Sequence, residues 1–181
     1  MKKFKRVLIL SAFLFLSAAI VSFAENQEWL KAGTAPNSYT MEQISENGSV
    51  LKDAYSLKSI DTVQTGFGTI MTYLDPTPYL GKRVRMTGSL KIQDVTNWAG
   101  FWMRIDEKDS KFSLGFDNMK NGRKDRSVKG TIDWMTYDII LDVPKESYRI
   151  AYGALLTGQG QIWFKDIKFQ IVDKSVKITG W

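Results

Sequence analysis

The sequence predicts an all-β protein, a two-sheet antiparallel β-sandwich of about nine strands that follows a cleaved N-terminal signal helix. Three observations predict this fold. Apolar and polar residues alternate in several segments, turn-forming residues separate those segments at short intervals, and no amphipathic helix of any length follows residue 24. Because successive side chains of a strand point to opposite faces, each segment buries one face, and two sheets packed on those faces form a sandwich.

The clearest alternation is RVRMTGSLKI, residues 83–92, in which Val84, Met86, Leu90 and Ile92 share one face. Six further segments have strand-like composition or alternation: 137–143, 148–156, 162–172 and, more weakly, 39–44, 52–58 and 67–74. Turn signals lie between them at 47–49, 75–82, 120–124, 143–144 and 157–161.

Residues 1–24 have the features of a secretory signal peptide. A basic start, KKFKR, precedes an uncharged apolar run over 7–21, and the small residues of SFA, 22–24, offer a cleavage site. The run is short for a membrane span, which needs roughly 20 residues; an uncleaved anchor is the alternative. A lipid anchor is excluded, because the chain has no cysteine. We therefore expect a secreted protein, periplasmic if the cell is Gram-negative, with no stable membrane span after cleavage.

Cleavage leaves one domain, residues 25–181, with its core over about 29–172. Four of the 25 lysines and arginines lie in the leader, which leaves 21 against 19 acidic residues, a net charge of +2. Nucleic acid is therefore not an expected partner. The absence of cysteine means that the core alone must stabilise the fold, a pattern that suits a Gram-positive exterior.

The chain contains no histidine. This excludes Ser-His-Asp and Cys-His catalysis, histidine zinc sites and the most common general base. Glycoside hydrolysis needs two carboxylates that flank the bond, and no strand face places such a pair beside aromatic residues. The sequence therefore predicts a protein that is not an enzyme.

The stretch WAGFWMRID, residues 98–106, places two tryptophans on one strand face. That face carries Trp98, Gly100, Trp102 and Arg104, and the opposite face carries Phe101, Met103 and Ile105. If 107–110 is a hairpin loop, KFSLGF (111–116) pairs with this strand. Asp106 then faces Lys111, Met103 faces Leu114 and Gly100 faces Asp117, so that the Phe101 face becomes core.

Two interpretations of the Trp98 face stay open. In the first, Trp98 and Trp102 stack on a sugar ring while Arg104 and Asp117 bond its hydroxyls. In the second, a loop covers the tryptophans and Arg104 forms a structural ion pair with Asp117. Of the other tryptophans, Trp134 is expected as a structural plug at the start of a strand.

The facing of Trp163 is undecided, because it depends on whether Lys165 lies at a bulge. Trp29 is expected to pack the N-terminal segment onto the sandwich. The role of Trp181 is not readable from the sequence.

Three segments carry a resemblance to known domains: NGSVLKDAYSLKS, YLGKRVRMTGSLKI and GQIWFKDIKFQIV. Together they resemble the jelly-roll β-sandwich of carbohydrate-binding modules and galactose-binding-like domains. The block from WAGFWMRID to GQGQIWF is also similar to a family of uncharacterised bacterial exported domains. In the modules, aromatic residues on a concave sheet or at the sandwich edge hold the sugar, which the resemblance assigns to Trp98 and Trp102. It also implies a structural calcium, for which Asp166 is the one matching position.

The sequence thus predicts an exported, non-catalytic module that recognises a polysaccharide or cell-surface glycan through Trp98, Trp102, Arg104 and Asp117. The alternative is a protein-interaction or envelope-assembly module that uses the same aromatic residues, since tryptophan and tyrosine are enriched at protein interfaces. No cofactor is expected apart from the calcium that the resemblance implies.

Overall fold

The structure, a computed structural model, describes residues 28–60 and 65–181. The signal peptide expected at 1–24 lies outside these residues. The described chain forms nine strands, which are β1 (Leu30–Gly33), β2 (Tyr39–Glu46), β3 (Ser49–Ser59), β4 (Phe67–Leu74), β5 (Lys82–Glu107), β6 (Ser113–Asp117), β7 (Val128–Val143), β8 (Ser147–Thr157) and β9 (Gln161–Val172). Two short 3-10 helices, Pro36–Ser38 and Thr77–Tyr79, complete the described elements.

Strand β5 is 26 residues long and is an inner strand of two antiparallel sheets. Its first half pairs with β7 and β9, and β9 continues to β3 and β2. Its second half pairs with β6 and β8, and β8 continues to β4 and β1. We call these the β9 sheet and the β8 sheet. The strand changes sheet next to Asp94, whose φ of 53° and flanking register shifts mark a bulge that bends it.

The hydrophobic core lies between the inner faces of the two sheets. From β5 it receives Val84, Met86, Leu90, Ile92, Phe101, Met103 and Ile105, all essentially inaccessible to solvent. Phe101 meets Phe164 of β9 edge to face, with ring centroids 6.2 Å apart, so that one contact joins the two sheets. The facing predicted for 83–92 and 98–106 is confirmed, and so is the all-β jelly-roll sandwich.

Trp29 packs the segment before β1 onto this core. Its ring lies 5.4 Å from Tyr55, 5.5 Å from Tyr152 and 5.3 Å from Phe164, and its indole N–H donates to Asp53 at 2.9 Å. The role expected for Trp29 is confirmed.

The pairing predicted between β5 and β6 is wrong. The structure pairs Met103 with Asp117 rather than with Leu114, and Phe112 is 83% exposed instead of facing the core. The register of β6 is set by the end of the chain, because the backbones of Phe116 and Trp181 exchange two hydrogen bonds. That contact spans 65 residues of sequence from Phe116 to Trp181, so hairpin geometry alone does not reveal it.

No helix within the described ranges, 28–60 and 65–181, has both the length and the hydropathy of a membrane span.

Candidate functional site

Trp102 lies on the outer face of the β8 sheet, but its ring is packed. It is 7% exposed, and its indole N–H donates to Thr69 Oγ1 at 2.8 Å. Thr69 is on β4, two strands away, so the indole crosses β8 where Gly153 is the paired residue and offers no side chain to block it. Met71 and Leu155 complete a small apolar cluster around the ring. This outer face is therefore a second, smaller apolar layer at Trp102.

Trp98 lies at the edge of the same cluster and is partly exposed. Arg104 points from the same face and grips Asp106, with Nε at 2.6 Å and a second nitrogen at 3.1 Å. Arg149 Nε donates to Oδ2 of the same carboxylate at 2.9 Å. Partial burial alone would raise the pKa of Asp106, but the bonds from the two arginines outweigh it and hold the pKa below its usual value.

Asp117 is fully buried on the core side of β6, opposite Met103. Its carboxylate accepts hydrogen bonds from the Met119 backbone N–H at 2.7 Å and from Arg126 at 2.6 Å. The ion pair between Arg104 and Asp117 in the second interpretation is therefore wrong, because Arg104 bonds Asp106 and Asp117 bonds Arg126. The structure brings Trp98, Trp102 and Arg104 to one face and leaves Asp117 away from it. The ligand-binding role of these four residues stays a prediction.

A second aromatic surface covers the outer face of the β9 sheet. Lys165 Nζ lies 4.8 Å from the ring centroid of Trp134, and Lys91 Nζ lies 5.9 Å from that of Trp163. We call these four residues the tryptophan–lysine face. Trp134 is 36% exposed and Trp163 partly exposed, so both indoles reach solvent.

Carboxylates hold the two lysines of this face in place. Lys165 bonds Glu46 at 2.9 Å, and Lys91 lies 3.3 Å from Asp133. Each ammonium group therefore lies near both an indole ring and a carboxylate acceptor. Flat apolar surface ringed by polar groups is the composition of a ligand site.

The tryptophan–lysine face was not foreseen as a unit, for two reasons. Trp134 is not the plug at a strand start that was expected, because β7 runs without interruption through it. Trp163 faces outward because β9 carries a bulge at Asp166, with a φ of 58°, where the pairing with β5 shifts register. A bulge of this kind leaves no signal in hydrophobic periodicity beyond the interruption at Lys165 itself.

A shallow groove lies beside this face. It is lined by Arg85, Thr87, Arg126, Thr136, Tyr137 and Asp138. Ser89 joins the two features, since it pairs with Thr136 of the groove on one side and with Lys165 of the face on the other. The outer surface of the β9 sheet thus carries aromatic, cationic and hydroxyl groups in one continuous strip.

Calcium has no prepared site in the described part of the chain. No group of three or more carboxylate, histidine or cysteine side chains there is arranged to hold a metal ion. Asp166 is exposed at its bulge in β9. Calcium takes six to eight oxygen ligands, and the calcium stays an implication of the sequence resemblance.

Comparison with known proteins separates sequence relatives from structural ones. No family model matches the chain. The chain is 38% identical over 152 residues to the uncharacterised HTH-type transcriptional regulator YbfP of Bacillus subtilis strain 168. That alignment covers 83% of this chain and 50% of the regulator, so the chain spans about half of the relative's length.

Solved structures share the fold at low identity. The enzymatically active domain of tailspike protein 4 from bacteriophage CBA120 matches with a TM-score of 0.56 at 13% identity, over 80% of this chain and 19% of that one. A family 22 xylan-binding domain matches with a TM-score of 0.51 at 9% identity, over 79% and 86%. The family 11 carbohydrate-binding module of a Clostridium thermocellum cellulase gives 0.50 at 9% identity, over 84% and 92%. The chain has the jelly-roll fold of a carbohydrate-binding module. This confirms the fold resemblance read from the sequence, whereas function does not follow from fold alone.

Proposed function

We propose that the protein is a non-catalytic module that recognises carbohydrate through the tryptophan–lysine face. The observation that carries the proposal is the pair of indoles of Trp134 and Trp163, each with a lysine ammonium over its ring and with part of the side chain open to solvent. The apolar C–H face of a pyranose stacks on such a ring, and the polar groups around the ring bond its hydroxyls. The fold shared with carbohydrate-binding modules supports the same class of ligand.

The polar groups of the face are suited to hold sugar hydroxyls. Lys91 and Lys165 each have donors beyond those used by Asp133 and Glu46, because an ammonium group carries three. Their carboxylate partners supply acceptors beside them. A shallow platform of this kind buries little area and still bears the cost of association, so we expect weak to moderate affinity.

Trp98 offers a second position for a sugar, on the β8 sheet. Trp102 beside it has its N–H bonded to Thr69 and almost no accessible ring, so Trp98 would act alone there. The tryptophan–lysine face presents two accessible rings and two lysines, each with a carboxylate partner. We therefore place the main site on the β9 sheet and keep Trp98 as an arm of the test.

Intrinsic tryptophan fluorescence tests the proposal. The purified protein is titrated with soluble xylan, β-glucan, galactan and cell-wall fragments, and Trp134→Ala, Trp163→Ala and Trp98→Ala are titrated in parallel. Trp181→Ala is the matched control, since Trp181 is 59% exposed and lies against Phe116 of the other sheet. Far-ultraviolet circular dichroism verifies that each variant is folded.

We expect a saturable change that is lost in Trp134→Ala and Trp163→Ala and is kept in Trp98→Ala and Trp181→Ala. Loss in Trp98→Ala alone would move the site to the β8 sheet. Silence of the folded protein across the panel would contradict carbohydrate recognition and favour the protein-interaction alternative.

The relative in Bacillus subtilis suggests a second form of the same function. Half of a protein described as a transcriptional regulator is 38% identical to this chain, and under the present proposal that half would bind a saccharide as well. The ligand would then be a short soluble saccharide rather than a polymer. Binding of oligosaccharides as tight as that of the parent polymer would support this form, whereas a requirement for long chains would support a surface glycan.

We also propose that residues 1–24 direct export of the protein, on the sequence features described above. Immunoblotting of culture supernatant and cell fractions tests this. A shortened chain outside the cytoplasm supports export, and a full-length chain confined to the cytoplasm contradicts it.

A further inference from the structure

Arg85 points into the groove of the β9 sheet with an unused hydrogen-bond donor. Its Nε is shielded from solvent and has no hydrogen-bond partner. The nearest carboxylate oxygen, Asp138 Oδ2, lies 3.6 Å away, which is too far for a hydrogen bond. A shielded donor without a partner costs free energy. The side chain of Arg85 as a whole is 33% exposed and lines the groove, so a ligand would meet the accessible part of its guanidinium group.

Arg126 supplies a second guanidinium group to the groove, and its position is fixed. It donates to the buried carboxylate of Asp117 at 2.6 Å and to the Asp138 carbonyl oxygen at 2.6 Å. The distance from Arg126 Nη1 to Asp138 Oδ1 is 3.8 Å. The side chain of Asp138 thus lies within ion-pair range of both arginines and is bonded closely to neither. The groove lining therefore carries two positive charges, of Arg85 and Arg126, against the one negative charge of Asp138.

The other side of the groove adds positive charge. Lys168 of β9 is exposed and pairs in register with Thr87, the residue that lies between Arg85 and Ser89 on this face. Since Asp117 is buried and paired with Arg126, Asp138 is the carboxylate that lines the groove, against Arg85 and Arg126 in the lining and Lys168 next to Thr87. Two threonine hydroxyls, of Thr87 and Thr136, line it as well.

We propose that this groove binds the anionic group of an acidic glycan, a uronate carboxylate or a sugar phosphate, with Arg85 as the main contact. Guanidinium groups bind both anions through two parallel hydrogen bonds. The inference rests on the proposed function and specifies its ligand, because the groove continues into the tryptophan–lysine face. Arg85 and Lys91 are six residues apart on one strand, about 20 Å, which is long enough for several sugar units to lie across both features.

Matched polymers test the charge requirement. Polygalacturonate and its methyl ester share a backbone and differ in the carboxylate, and a teichoic acid polymer presents phosphate instead. Affinity is measured by isothermal titration calorimetry at low and high salt. The variants are Arg85→Gln and, as a second and fully surface-exposed change, Lys168→Gln. Arg149→Gln is the control, since Arg149 is a partly exposed arginine bonded to Asp106 on the other sheet.

We expect an acidic polymer to bind more tightly than the methyl ester, with affinity that falls as salt rises. Arg85→Gln should weaken that binding about tenfold, as loss of a charged hydrogen bond implies. Lys168→Gln should weaken it less, and Arg149→Gln should leave it unchanged. Preference for teichoic acid, lost in Arg85→Gln, would support the site and identify the anion as phosphate.

Two results would overturn the inference and leave the proposed function intact. One is equal affinity for the acid and its ester, with loss of both in Trp134→Ala. The other is an equal fall in Arg85→Gln and Arg149→Gln, which would indicate nonspecific attraction. Failure of every polymer, neutral or acidic, to bind the folded protein would overturn both proposals together.

Discussion

The indole N–H of Trp102 donates to Thr69 Oγ1 at 2.8 Å across strand β8. The Thr69 hydroxyl in turn donates to the Ala154 carbonyl oxygen at 2.8 Å, so that two consecutive hydrogen bonds link β5, β4 and β8. Both side chains are buried. The polar tip of the tryptophan is therefore used within the fold, and its ring lies on the sheet as packing.

We expect Trp102→Phe to lower the free energy of unfolding by about 1–3 kcal/mol, because it leaves the buried Thr69 oxygen without its donor. Urea denaturation measures the change. Trp181→Phe, at an exposed ring, should stay within about 0.5 kcal/mol of the parent protein. Equal midpoints for the two variants would show that the bond to Thr69 contributes nothing.

Arg126→Gln should destabilise the protein by about 3–5 kcal/mol, because it leaves the carboxylate of Asp117 buried without a counter-charge. The double variant Arg126→Gln/Asp117→Asn should recover part of that loss, since it removes the unpaired charge as well. Denaturant unfolding of the three variants measures both effects. A double variant no more stable than Arg126→Gln would contradict this account.

Acid should remove a contribution that centres on Asp142. The pKa of Asp142 is lowered to about 2, chiefly by the hydrogen bond from Arg83. Partial burial opposes this shift, and the hydrogen bond from Lys174 adds to it. The unfolded pKa is about 3.9, so the folded state favours the ionised group. The contribution is fully present above pH about 4 and is lost as the pH falls towards about 2.

The measurement is the difference in unfolding free energy between the parent protein and Asp142→Asn, at pH 6 and at pH 2. The difference should shrink at the lower pH. A difference that is the same at both values would contradict the lowered pKa.

Gly88→Ala should destabilise the protein by about 1–3 kcal/mol through overpacking. A Cβ at Gly88 would lie 2.8 Å from Phe101 Cζ and 3.1 Å from Ile167 Cγ1. Phe101→Leu replaces the ring by a smaller side chain, so Gly88→Ala should lower the unfolding free energy less in that background than in the parent protein. A double-mutant cycle measures this difference. Strict additivity of the two changes would show that the contact does not limit the core.

Local alternation was sufficient to predict which residues of β5 face the core. Val84 and Met86, and later Phe101 and Met103, follow the period of two along the strand and are buried as expected. Burial of one strand face depends only on that strand and the presence of a second layer. This burial is therefore readable from the alternation of apolar and polar residues along the strand.

Contacts between residues far apart in the sequence determine the features that local patterns did not predict. The register of β6 depends on Phe116 and Trp181, whose backbones bond across the end of the chain. Asp117 was expected beside Arg104, but a buried carboxylate takes whichever cation the fold brings close, and that cation is Arg126. The tryptophan–lysine face depends on a single left-handed residue, Asp166, which turns Trp163 outward.

Strand β5 has a consequence for how the molecule opens. Because its two halves are inner strands of different sheets, opening of either sheet at β5 disturbs a strand that the other sheet shares. Backbone amides in both halves should therefore exchange their hydrogens with solvent at one common slow rate, set by opening of the whole domain. The edge strands β1 and β2, each bonded on one side, should exchange sooner. A cut in the chain near Asp94 would divide β5, so that its half in the β9 sheet and its half in the β8 sheet would belong to two separate pieces.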